Sequence, residues 1–242
     1  MADAGGGIDA HGADAGVATG RDDAVVPRSS SALGWAAVGA ALYWFAVYVA
    51  FHWIRDDLDP CCAFGSNYGR GELEWLMQSA FVVFGFGWMA AGIALHRAIR
   101  GARGAAWMLA LPLVTGVGLI VSGIWRADDL PVTGDPSSED MVHTLGGVLT
   151  FAGLIAFGIA AWRVLRRSDR WRRLAAPHLW LGLATLVLFL TFSIWAETIG
   201  DGFGWWQRAL TLVLMPAWLA WLGWQFASVP QRPSQRWGTP TD

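Results

Sequence analysis

The chain is predicted to be all-α, a polytopic membrane bundle of six transmembrane helices. Three observations predict this. Of 242 residues, 55% are hydrophobic and only 15% charged, for a mean hydropathy of +0.39; a soluble domain carries about a quarter charged residues. The charges are confined to short stretches between long apolar runs. Nothing in those runs alternates as a barrel strand does.

The six runs are Leu33–Ile54, Trp75–Leu95, Ala105–Trp125, Met141–Trp162, Leu174–Ala196 and Ala209–Val229. None contains Asp, Glu or Arg. Each has the ~20 residues a helix needs to cross a bilayer. Lipid offers no partner for backbone polar groups, so a helix is required. Short links make successive spans antiparallel neighbours. Small residues recur four apart at Gly87/Ala91, Gly118/Ser122 and Ala156/Ala160, a spacing that lets helix backbones approach in lipid. Pro112 and Pro216 lie inside spans and free backbone groups that neighbouring helices must satisfy. Trp218, Trp221 and Trp224 share roughly one face of the last span, for packing or lipid contact.

Residues 1–31 are low in complexity and too poor in apolar side chains to fold alone. They are read as a disordered cytoplasmic tail, 32–229 as the transmembrane domain, and 230–242 as a second tail. No basic segment precedes an early apolar core, so the first span is expected to act as an uncleaved anchor. All 17 basic residues are Arg. Thirteen fall in the tails and in the links after the second and fourth spans; only Arg55, Arg70, Arg126 and Arg208 fall on the other side. Basic links stay inside, which puts both termini in the cytoplasm of a cell-membrane protein. The outer links hold 12 of the 19 acids. A net charge of −2 gives no case for nucleic-acid binding. Two adjacent cysteines, Cys61 and Cys62, supply neither a disulfide framework nor a four-ligand zinc site. They are read as free thiols or one strained local bond.

The stretch from Gly118 to Phe151 organises the rest. An apolar run ends in Trp125 and Arg126, a polar link carries five acids, and a new run begins with His143 near its head. Ser137 and Asp140 have capping-box spacing before that run. His143 serves either as base or ligand, or as a structural ring bonded to a loop carbonyl. Arg208 heads the sixth span, where the helix dipole repels a cation. It is expected to pair with a carboxylate, Glu197 first, or Asp201 or Asp128.

Several short motifs stand in order at the outer span ends: Ser66-Asn67-Tyr68 with Gly71 and Trp75-Leu76-Met77, then Gly116, Gly118 and Gly123-Ile124-Trp125-Arg126-Ala127-Asp128, then His143, and Gly204, Gln207 and Arg208. In these the chain resembles the domain-of-unknown-function family 998, six-span membrane proteins of bacteria and archaea. The resemblance covers roughly residues 33–229. The family tends to have Phe-Pro-Thr-Asp at 125–128 and Asp at 67. The resemblance implies a six-span bundle with its site at the outer span ends, and no particular activity.

Three classes of function compete. Ion-coupled transport needs ionisable groups near the bilayer centre. The spans carry only His52 and His178, besides His143 at a span head, and all lie near an end. The default reading is a non-catalytic protein with a polar outer rim that binds a lipid or a membrane-protein partner, through Ser66, Tyr68, Arg126 and Asp201. The alternative is a membrane-embedded hydrolase or other enzyme acting on a lipid-like substrate at the outer interface. Its catalytic candidates are Asp128, His143, Glu197 and Arg208, with Asp128 and His143 as candidate metal ligands. The cofactor is unknown from the sequence.

Overall fold

The computed structural model describes residues 28–128 and 135–228, and every regular element in them is helical. Of the proposed tails at 1–31 and 230–242, residues 1–27 and 230–242 lie outside the described residues; residues 28–31, read as tail, instead form the first turn of α1, with Ser30 and Ser31 buried. The helices are α1 (Arg28–Ile54), α2 (Glu74–Ala98), α3 (Trp107–Ile124), α4 (Ser138–Leu165), α5 (Arg172–Thr198) and α6 (Phe203–Ala227). All six are long and apolar enough to cross a membrane. A short 3-10 turn, Gly65–Gly69, lies in the link after α1. The links after α1, α3 and α5 meet at one end of the bundle, the acidic end.

Local chemistry sets the helix ends. Ser137 caps α4 by accepting from the Asp140 N–H at 3.1 Å. The reciprocal half of the capping box is exchanged. The Ser137 N–H donates to Asp128 at 2.8 Å, and Asp140 accepts from the Asp128 N–H at 3.0 Å. The cap thereby ties α4 to the end of α3. Gly200, at φ 73°, closes α5 in the left-handed conformation that terminates helices at little cost in glycine. Gly202, at φ 80°, starts α6.

Here the structure corrects the sequence reading. The sixth span begins at Phe203, six residues before the predicted Ala209, so Arg208 lies inside it. Counting only uncharged residues cut the span short. A charged side chain is tolerated in a span when its donors are satisfied within the protein.

α1 packs on α2 and α6, α2 on α3, α3 on α4 and α4 on α5; α5 returns to the first half of α6 and closes the ring. The interior is aromatic. Trp44, Trp88, Trp218, Phe84 and Phe157 are all nearly or fully buried. Trp218 meets Trp88 edge-to-face at 5.5 Å and stacks on Phe157 at 5.7 Å. Such pairs add about 0.5–1.5 kcal/mol each beyond simple burial. Trp218 is thus core, whereas Trp224 is half-exposed and packs edge-on against Trp35. Exposed tryptophans form two belts. Trp53, Trp75, Trp125, Trp205 and Trp206 surround the acidic end, and Trp35, Trp107, Trp180 and Trp224 the other. Amphipathic rings concentrate at the two interfaces of a bilayer in this way.

Glycines bring helices into backbone contact. A Cβ on Gly118 would lie 2.5 Å from the Gly146 carbonyl oxygen, and one on Gly158 2.7 Å from the Gly182 Cα. Of the predicted small-residue pairs, Gly118/Ser122 faces α4 and Gly87 faces Ala40 of α1. Ala156 and Ala160 are only partly buried; Gly153 and Gly158 make the close approaches of α4 instead.

Pro216 disturbs α6 as expected. Ala209–Leu214 is π-helical, and the Met215 N–H bonds to the Leu210 carbonyl. In that register the next donor would be residue 216, which as proline has none. Trp44 of α1 supplies it, with Nε1 2.7 Å from the Thr211 carbonyl oxygen.

Candidate functional site

At the acidic end the link after α1 folds over the first turns of α6, and Arg208 holds it there. Arg208 is 3% exposed. Its Nε donates to His52 Nε2 at 3.0 Å. Nη1 donates to the Ala63 and Gly204 carbonyls at 3.0 and 3.1 Å, and Nη2 to the Tyr68 hydroxyl at 2.9 Å. The expected ion pair with Glu197, Asp201 or Asp128 does not form; the partners are neutral acceptors on α1, the link and α6. A guanidinium suits this role because its donors lie in one rigid fork. Gln207 fastens the same link, its Oε1 accepting from the Gly65 N–H at 2.6 Å. The close approach leaves no room for a side chain at Gly65, against the Tyr48 hydroxyl, or at Gly204, against the Pro60 and Cys61 carbonyls.

A second knot joins the first and third links. Asn67 accepts from the Phe64 N–H at 2.8 Å and donates from Nδ2 to the Asp128 carbonyl at 3.0 Å. A carboxylate at position 67 could make only the first bond. Arg70 bonds the Ala127 carbonyl and lies 3.6 Å from the Asp128 carboxylate. The Ser137 hydroxyl and N–H, then Arg70, hold the Asp128 carboxyl below the usual carboxylate range. Arg126 faces outward to Glu74 at 3.2 Å and Glu139 at 3.4 Å.

His143 sits in the second turn of α4. Its Nδ1 lies 2.8 Å from the Ser122 carbonyl oxygen and 3.0 Å from that of Trp125. Carbonyls only accept, so Nδ1 carries a proton and donates to them. The structural bond to a loop carbonyl exists, and it orients a ring that also borders a cavity.

That cavity is a recess of about 440 Å³ between α4 and α5. Gly158 and Gly182 pinch these helices together at their other ends. Its lining is apolar at Val148, Phe151, Phe189 and Phe192 and polar at Ser66, Asn67, Asp128, Asp140, His143 and Glu197. An inner chamber of about 70 Å³ reaches toward Tyr48 and Thr211, and Ser66, His143, Phe151 and Gln207 line both spaces.

The structure thus sorts the candidate residues into groups. Asp128, His143, Glu197 and Ser66 border the recess. Tyr68 and Arg208 are buried in the tie beneath the first link. Arg126 lies in an ion-pair cluster on the rim. Asp201 belongs to a separate cluster, 2.7 Å from Cys61 Sγ and 3.0 Å from Cys62 Sγ. The cysteines are free. Asp201 and then Cys62 push the Cys61 thiol up to about 12, and the thiols hold the Asp201 carboxyl below its usual range. The apolar part of the lining was missed. Its only sequence signal is Phe189 and Phe192, three apart and thus on one helix face.

Together the belts, the six spans and the recess define a multi-pass membrane helix bundle with a polar and apolar recess at one end. The chain belongs to the family described as protein of unknown function (DUF998), whose model matches residues 37–225. No curated protein and no solved structure matches it.

Proposed function

We propose that the protein binds a lipid-like amphiphile in the recess between α4 and α5. One observation carries this reading: a single cavity is lined both by aromatic and aliphatic side chains and by acids, amides and an imidazole. Its volume is in the range of small-molecule sites, roughly 300–1,000 Å³. The apolar part of the lining suits an acyl or prenyl chain. The polar part of the lining is rich in acceptors, namely the carboxylates of Asp128, Asp140 and Glu197. It suits a head that donates hydrogen bonds, such as an amine or a polyol.

The test uses a plug. Gly147 borders the recess, and a Cβ there would meet nothing within 4 Å. Gly147→Phe should fill the space without disturbing the fold. Gly39 is equally open but lies on α1, away from the recess, so Gly39→Phe is the control. Native mass spectrometry of protein extracted in mild detergent should show an amphiphile on wild type and Gly39→Phe, and none on Gly147→Phe. Equal occupancy in all three would overturn the reading. Cleavage of the amphiphile on incubation would make the site that of a hydrolase.

The arginine distribution supports an orientation with both termini in the cytoplasm and the acidic end outside. Cys61 and Cys62 are partly exposed at that end. A membrane-impermeant maleimide applied to intact, reduced cells should label them. Labelling only after permeabilisation would reverse the orientation.

A further inference from the structure

We propose that Cys61 and Cys62, with the carboxylates of Asp201 and Asp59, form a site for one thiophilic divalent cation, zinc or cadmium in type. The cluster is separate from the recess and joins two links far apart in sequence. The ligand atoms of Asp59, Cys61 and Cys62 lie within 4.8 Å of one another. Asp201 brings Oδ1 to 2.7 Å from one sulfur and 3.0 Å from the other, and the sulfurs are 2.8 Å apart.

The backbone holds these donors in place. Asp201 lies between Gly200 and Gly202, both left-handed, and its carbonyl accepts from Trp195 Nε1 at 2.7 Å. The Cys61 carbonyl accepts from the Gly204 N–H at 2.9 Å, which cross-ties the two links. Asp59 accepts from the Cys61 N–H at 2.8 Å and keeps its other oxygen for a ligand.

The donor set selects the ion. Two thiolates are soft ligands that favour zinc or cadmium over magnesium or calcium. Zinc binds sulfur at about 2.3 Å and carboxylate oxygen at about 2.0–2.2 Å. Thiols in contact therefore have to open by about 1 Å, which rotation of two side chains on a partly exposed link allows. On binding, each Sγ–H loses its proton to water and each sulfur forms a bond to the metal. The ion then offsets two of the four negative charges carried by the two thiolates and two carboxylates, and the four donors fill a tetrahedral site.

The test is a titration of reduced, metal-free, full-length protein in detergent with Cd²⁺. It is followed by the ultraviolet thiolate-to-cadmium band and by bound metal per chain. Wild type should bind one ion with the full band. Cys62→Ser should lose about half the band and bind at least about tenfold more weakly. Asp201→Asn keeps both sulfurs and should also weaken binding about tenfold or more, the loss expected even for a group that merely orients a ligand. Asp56→Asn, in the same link but outside the cluster, should match wild type. Absence of a one-to-one band in wild type overturns the proposal. So does wild-type affinity in Asp201→Asn, which would leave only an exposed dithiol. Should Asp201→Asn yield poorly, the exposed Asp59→Asn carries the same comparison.

Discussion

Gly118→Leu is expected to part α3 from α4 and to lower the stability of the detergent-solubilised protein by about 3 kcal/mol or more. A Cβ at this position would sit 2.5 Å from the Gly146 carbonyl oxygen, 2.6 Å from Thr150 Oγ1 and 2.7 Å from the Thr150 backbone nitrogen. Two of these three atoms are backbone, so no rotamer change relieves the contact. The helices must separate, and the separation breaks more than packing. The Ser122 hydroxyl donates to the His143 carbonyl at 2.9 Å, and His143 Nδ1 returns a bond to the Ser122 carbonyl. Both bridges cross the same seam. Intrinsic helix propensity has the opposite sign, favouring leucine over glycine by nearly 1 kcal/mol, so a loss reports the seam itself. Thermal unfolding and size-exclusion profiles measure it. Gly39→Leu, where a Cβ meets nothing within 4 Å, should leave both unchanged. An unshifted Gly118→Leu would show that α3 and α4 do not touch backbone to backbone.

Features with a one-dimensional signature were legible in the sequence. A span reads as a run of apolar residues, so all six emerged. Ser137 and Asp140 read as a cap by spacing, and the cap exists. Pro216 signalled a backbone acceptor that a neighbour must satisfy, and Trp44 satisfies it. What failed needed three dimensions. Arg208 carries a charge, so the count started the sixth run just after it, yet its donors are met by atoms on α1, the first link and α6. No spacing rule joins residue 208 to 52, 63 and 68. The expected carboxylate partner followed from charge alone, whereas a buried guanidinium is also satisfied by carbonyls and hydroxyls. The recess was half visible. Its polar lining was found through acids and His143 at span ends. Its apolar lining was hidden, because in a membrane span a phenylalanine facing a cavity reads the same as one facing lipid.

Arg208→Ala is expected to cost about 3 kcal/mol or more and to release the link after α1. The side chain is buried, so its hydrogen bonds are not in competition with bulk water. Hydrogen bonds to a charged group contribute about 1.5–3 kcal/mol each, and Arg208 makes four. Alanine removes these donors and leaves His52, Tyr68 and the Ala63 carbonyl beside an empty space. Arg208→Lys keeps the charge but replaces a planar fork with a single ammonium point. It cannot reach acceptors on three segments at once, and about 2 kcal/mol of the loss should remain. A double-mutant cycle with Tyr68→Phe, which deletes one acceptor, should show coupling of about 1 kcal/mol. The same cycle with Glu197→Gln should be additive within about 0.5 kcal/mol, because Glu197 borders the recess and not the guanidinium. Untying the link should also expose the thiols it carries, since Cys61 bonds the start of α6 through Gly204. Maleimide labelling of Cys61 and Cys62 should therefore accelerate in Arg208→Ala. If Arg208→Lys unfolds at the wild-type temperature and labels at the wild-type rate, the link is held by Gln207 and backbone contacts alone. Arg208 would then be a tolerated charge, with no part in shaping the wall of the recess that the link provides.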